Sequence, residues 1–133
     1  MNEEYINQKD TTMKPGVINL AEKLSLFSEQ WSPKIIAQMN EHHFKLVKLS
    51  GEFVWHAHEH TDEVFIVLEG ELTIDFRDGA AVLGPGEMIV IPKGVEHRPR
   101  ADEECRVMLV EYAGTVNTGD VESDFSAPSD EWI

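Results

Sequence analysis

The chain has 133 residues, with 25 acidic against 11 basic side chains and a formal net charge of −14. A surface so negative repels phosphate backbones and anionic lipid, so neither nucleic acid nor membrane is expected as a partner. The length suits one domain, and the single Cys105 excludes an intrachain disulfide and fits a cytoplasmic protein.

No apolar run approaches the roughly 20 residues of a membrane span, and the Asn- and Glu-rich start does not resemble a signal peptide. Residues 1–14 lack apolar periodicity, and a mobile lead-in is expected over 1–16. A single domain is expected over 17–113. It opens with a short helix, for which Asn19 is the N-cap, Glu22 stands three residues on, and Leu20, Leu24 and Phe27 share a face. Trp31-Ser32-Pro33 stops it.

Beyond Pro33 the pattern changes to short apolar runs, predicting strands over 34–39, 44–49, 53–58, 63–68, 71–76, 81–83, 87–91 and 106–112. Turn residues separate them at Asn40-Glu41-His42-His43, Glu69-Gly70, Asp78-Gly79, Gly84-Pro85-Gly86 and Pro92-Lys93-Gly94. His42 and His43 are expected to be solvated turn residues with no ligand role. Many short strands without βα alternation predict an all-β sandwich or barrel. From Gly114 the chain carries five acids and no Lys or Arg, which predicts an irregular tail over 114–133. Its Trp132-Ile133 end reads equally as solvated or as a docked anchor.

The chemistry gathers in two stretches, GEFVWHAHEHTDEVFIVLEG (51–70) and GEMIVIPKGVEH (86–97). On an extended strand His56 and His58 project together while Ala57 turns away. Glu63 opens the next strand, and His97 follows a turn after another. In a closed barrel such strand ends converge on one interior point. Three imidazoles and one carboxylate suit a divalent first-row metal and leave positions open for water, dioxygen or substrate. His60 shares parity with the first two histidines, and Asp62 neighbours Glu63, so both are alternatives in that register.

These residues resemble the cupin family. Gly51, His56-Ala57-His58, Glu63 and Gly70 match its first motif. Gly86, Pro92, Gly94 and His97 match its second, fifteen residues later. Two positions depart from the pattern: four residues rather than five lie between Gly51 and His56, and Ala101 stands where the second motif ends in Asn. The resemblance implies a double-stranded β-helix, or jelly-roll barrel, with His56, His58, Glu63 and His97 as ligands to Fe, Mn, Ni or Zn. The small single-domain form is most similar to mannose-6-phosphate isomerase-like cupins.

Around that set, Glu63 and Glu111 are candidate catalytic groups, with Glu111 read as a ligand's partner, a general base or an exposed strand end. Arg98 and Arg100 either bind an anionic substrate or pair with surface acids. Trp55, Phe65 and Met88 either line the pocket or pack in the core. The expectation is a small-molecule metalloenzyme, oxygenase or isomerase, rather than a non-catalytic metal-dependent binding module. Unpaired barrel edges suggest a homodimer, with residues 17–39 crossing to the partner.

Overall fold

The computed structural model describes residues 15–133, so most of the expected lead-in lies outside the described residues. Helix α1 (Leu20–Leu24) starts where Asn19 accepts a 2.9 Å hydrogen bond from the Glu22 amide. Seven strands follow: β1 (Lys34–Met39), β2 (His42–Glu52), β3 (Glu63–Glu69), β4 (Leu72–Phe76), β5 (Gly79–Leu83), β6 (Met88–Ile91) and β7 (Arg98–Tyr112). Among the described residues no helix is long and apolar enough to cross a membrane.

All pairings between these strands are antiparallel, in the order β1-β2-β7-β3-β6, with β4 joining β7 to β5. The 15-residue β7 is the spine. One edge runs along β2, while the other pairs with β4 through Arg98–Arg100 and with β3 through Arg106–Val110. A strand shared this way curves the sheet round on itself into the jelly-roll. Strict alternation on β3 buries Glu63, Phe65 and Val67, and on the second half of β7 it buries Cys105, Val107, Leu109 and Glu111. Phe65, Val67, Cys105, Val107 and Leu109 meet Val47, Leu49, Leu72, Ile74 and Ile91 in the main core. Burial raises the Cys105 thiol to about 11, which keeps it an inert packing group.

The opposite face of β2 carries Leu46, which packs with Ile36, Leu24 and Phe27 beneath α1. Lys48 lies there too, buried, donating to the carbonyls of Leu24 (2.8 Å) and Phe27 (2.6 Å) where the short helix runs out. At Gly70 (φ +86°) any side chain would press on the Glu104 carbonyl at 3.0 Å, so the β3–β4 turn requires glycine.

Three details differ from the sequence expectation. Residues 53–58 do not form a strand: β2 bulges beyond Leu49, turns at Gly51 (φ 79°), and only His56 re-enters the sheet as an isolated bridge to His97. His42 and His43 belong to β2 rather than to the turn, because Asn40 (φ 53°) closes the hairpin in two residues. His43 is buried, 3.1 Å from Gln38 Oε1. Finally, β7 begins at Arg98, eight residues before the apolar run that announced it.

The chain end docks on β1, where Ile35 N bonds to Glu131 O and Ile133 N to Ile35 O, and Trp132 meets the His43 ring edge-on at 5.6 Å. Lys48→Met would leave two buried carbonyls without a donor. It should lower the unfolding free energy by about 2–3 kcal/mol, seen as a lower urea midpoint with an unchanged slope.

Candidate metal centre

His56, His58, Glu63 and His97 reach one point by different routes. His56 and His97 exchange backbone hydrogen bonds of 3.0 and 2.9 Å, which sets their rings side by side with centroids 4.3 Å apart. Gly94 N donates to His58 O at 2.8 Å, tying the histidine loop to the Pro-Lys-Gly turn. Glu63 projects inward as the first residue of β3. All four side chains are buried, and one donor atom from each lies within 4.8 Å of all the others.

Nδ1 of His56 donates to Val54 O and Nδ1 of His97 to Val95 O, both at 2.9 Å. Each ring thereby turns an Nε2 lone pair to the common centre. There, Nε2 of His58 and of His97 each stand 3.4 Å from Glu63 Oε1. None of these three atoms has a hydrogen-bond partner. A buried polar atom left unmet costs about 1–3 kcal/mol, and three such atoms facing each other call for a cation. Nitrogen donors with one carboxylate fit a divalent first-row ion.

Behind Glu63 stands Glu111, 1% exposed, with its Oε2 held by Lys45 Nζ at 2.8 Å. The strand-end exposure considered for Glu111 is therefore not what the structure shows: the β7 alternation turns it inward. Burial, reinforced by the adjacent Glu63 carboxylate, raises Glu111 well above the usual carboxylate range. Glu63 sits well below it: burial opposes its charge, but the Glu111 carboxyl and the His58 and His97 rings beside it favour the anion by more.

The remaining candidates lie outside the set. His60 is exposed, and Asp62 accepts a 2.9 Å bond from Lys93 N, fastening the loop. Arg98 and Arg100 both bind Asp75 Oδ2 at 2.9 Å, as the surface-pair reading expected. Trp55 lies under the Arg77 guanidinium at 3.9 Å, and Met88 is 58% exposed, so neither lines the centre. Phe65 does, in edge contact with His97.

What covers the site carried no signal in the residue pattern. An apolar cavity of about 30 Å³, lined by Trp31, Phe53, Phe65 and Leu109, opens onto His56 and Glu63. It has room for only one or two waters. Trp31 stacks on Phe53 at 4.5 Å, and Phe125 packs against both rings. Asn117 pins the covering segment through bonds to Trp31 O (2.9 Å), Phe125 O (2.8 Å) and Ala127 N (3.0 Å). Gly119 (φ +61°) rests on the Ala57 carbonyl and close to the His58 ring, where a side chain would collide.

The cupin-domain profile matches residues 43–111, more than half of the chain. The chain belongs to the cupin family. A cupin-2 domain containing protein from Shewanella frigidimarina NCIMB 400 is 61% identical, with a TM-score of 0.71 over 72% of this chain and 94% of that one. Protein NMB1881 from Neisseria meningitidis is 41% identical, with a TM-score of 0.68 over 73% of this chain and 99% of that one. The uncharacterized protein YdbB of Bacillus subtilis (strain 168) is 49% identical over 78 residues, 58% of this cupin and 69% of its own length.

Burial, with the neighbouring His97 adding to it, lowers His56 from 6.5 to about 4. Between those values the unfolded chain binds a proton that the folded, metal-free protein refuses. Stability should therefore fall as pH drops from 6.5, by up to roughly 3 kcal/mol, with the loss complete below about 4. Urea unfolding of metal-free wild type and His56→Gln at pH 7 and 4.5 should show a larger loss in the wild type; equal losses would contradict it.

Proposed function

We propose that this cupin is a small-molecule metalloenzyme of oxygenase or isomerase type, holding one divalent ion (Fe, Mn, Ni or Zn) on His56, His58, Glu63 and His97. The observation that carries the proposal is the convergence of unpartnered His58 Nε2, His97 Nε2 and Glu63 Oε1 at one buried point. Such an ion supplies Lewis-acid polarisation of a bound oxygen, or a site for dioxygen.

The chain's own residues supply the rest. The Val54 and Val95 carbonyls hold two imidazoles in the ligating tautomer. Glu63 provides the anionic donor. Phe53, Phe65 and Leu109 give the adjoining cavity apolar walls, which strengthens any polar interaction made inside it. Asn117 lines the cavity, and Phe125 packs on the Trp31 and Phe53 rings that wall it.

That narrow cavity also favours a second reading, a non-catalytic metal-dependent binding or sensing module. In either case the partner is a small molecule. The exposed apolar side chains of Val17, Leu26 and Met39 support pairing with a second copy of the chain along residues 17–39.

Elemental analysis of tag-free protein should give about one transition ion per chain, and far less in His58→Ala and His97→Ala; equal content in all three would overturn the metal assignment. Glu63→Gln keeps the shape and removes the anionic donor. It should leave the melting temperature within a few degrees while abolishing turnover of oxygenated substrates such as sugar phosphates, diketones or phenolic acids. Ligands that bind at the metal yet are converted with none of the four ions would select the binding module.

A further inference from the structure

Among the described residues, two other than glycine have positive φ: Asn40 (53°) and Trp31 (59°). Asparagine enters the left-handed region readily, and Asn40 closes a hairpin there. A bulky indole in that region is strained, and such a residue persists only where its surroundings over-determine it. Those of Trp31 do. Trp31 N donates to Lys48 O and Nε1 to Ser50 O, both at 2.9 Å, so the residue is fastened to β2 at two points. Its carbonyl accepts from Asn117 Nδ2 at 2.9 Å, and its ring stacks on Phe53 with centroids 4.5 Å apart and planes 17° from parallel.

The backbone turn does not call for an indole. Glycine would hold the same φ without strain. What the indole supplies is a wall. Trp31 is 7% exposed and lines the cavity that opens onto His56 and Glu63, together with Val47, Leu49, Phe65 and Leu109. The space left is about 30 Å³, and its polar lining is confined to His56, Glu63 and Asn117. Walls of this kind suit a small apolar molecule, whereas a water there finds few partners. A separate cavity of about 330 Å³ meets His58 beside Tyr112 and Gly119, so the size limit belongs to the apolar route alone.

We propose that Trp31 is the specificity-determining residue of this apolar route, holding it to apolar molecules of about two or three heavy atoms. Dioxygen falls within that class; sugar phosphates and phenolic acids fall outside it. The proposal rests on the metal-centre reading for what lies at the end of the route, while the size limit itself needs no ion.

Xenon, cyclopropane and benzene form a ladder of apolar probes, read by the methyl resonances of Val47, Leu49 and Leu109 in zinc-supplemented, full-chain protein. Wild type should show saturable shifts with xenon and none with benzene. Trp31→Phe, with its smaller ring, should add cyclopropane. Trp31→Gly removes the ring and accepts the positive φ, and it should add benzene as well. Phe125 is the control, because it packs on Trp31 and Phe53 without lining the cavity; Phe125→Ala should match wild type. Benzene shifts in wild type would overturn the proposal. So would a folded Trp31→Gly that excludes benzene, or benzene entry in Phe125→Ala. If Trp31→Gly does not fold, cyclopropane with Trp31→Phe decides the matter. Zinc content of the same samples separates the two readings: the probe ladder without bound zinc would refute the metal centre and leave the role of Trp31 standing.

Discussion

Three imidazoles and a carboxylate brought to one dry point, with no hydrogen bonds among them to satisfy it, are the constraint on which this structure turns. A core of this size could be closed with apolar side chains alone, at lower cost than burying His58 Nε2, His97 Nε2 and Glu63 Oε1 unmet. The surroundings preserve the cost rather than relieve it. Two ring N–H groups are spent on the Val54 and Val95 carbonyls, and the space beside the imidazoles is lined by Phe53, Phe65 and Leu109. A cation at the centre resolves the conflict for all of the unmet atoms together.

The barrel makes the convergence possible because β7 serves two ladders. Its second half sets β3 in register, placing Glu63; its start, directly after His97, pairs with β4 and so holds the second histidine stretch in place. The His56–His97 bridge then ties the two histidine stretches together. The same strand turns Glu111 inward, toward the face on which Glu63 lies. The covering segment completes the enclosure through Asn117, Phe125 and Gly119, the last lying where only hydrogen fits against Ala57.

Much of this was legible in the residues. Seven of the eight expected strands, and the four residues that gather at one buried point, follow from alternation, turn chemistry and the two histidine stretches. What misled was local. The 53–58 run has strand composition, yet Gly51 and the ring-to-backbone bond from His56 to Val54 O turn it into an irregular arch. His43 looked like a turn residue because a two-residue turn at Asn40 and Glu41 cannot be told from a four-residue one by composition. Lys45 shares parity with Val47 and Leu49 in FKLVKL, so a buried lysine was signalled there, and with it the need for a buried acid. Asn117 and Phe125 carried no such signal, because their role comes from contacts far along the chain.

X-ray absorption at the edge of the metal that copurifies with the protein tests the central claim most directly. A surface with 25 acidic residues can also collect cations adventitiously, and the two cases scatter differently. A centre built from His56, His58, Glu63 and His97 predicts a shell of mixed nitrogen and oxygen at about 2.0–2.2 Å, with the outer-shell pattern of about three imidazole rings. An all-oxygen shell without imidazole scattering would contradict the account.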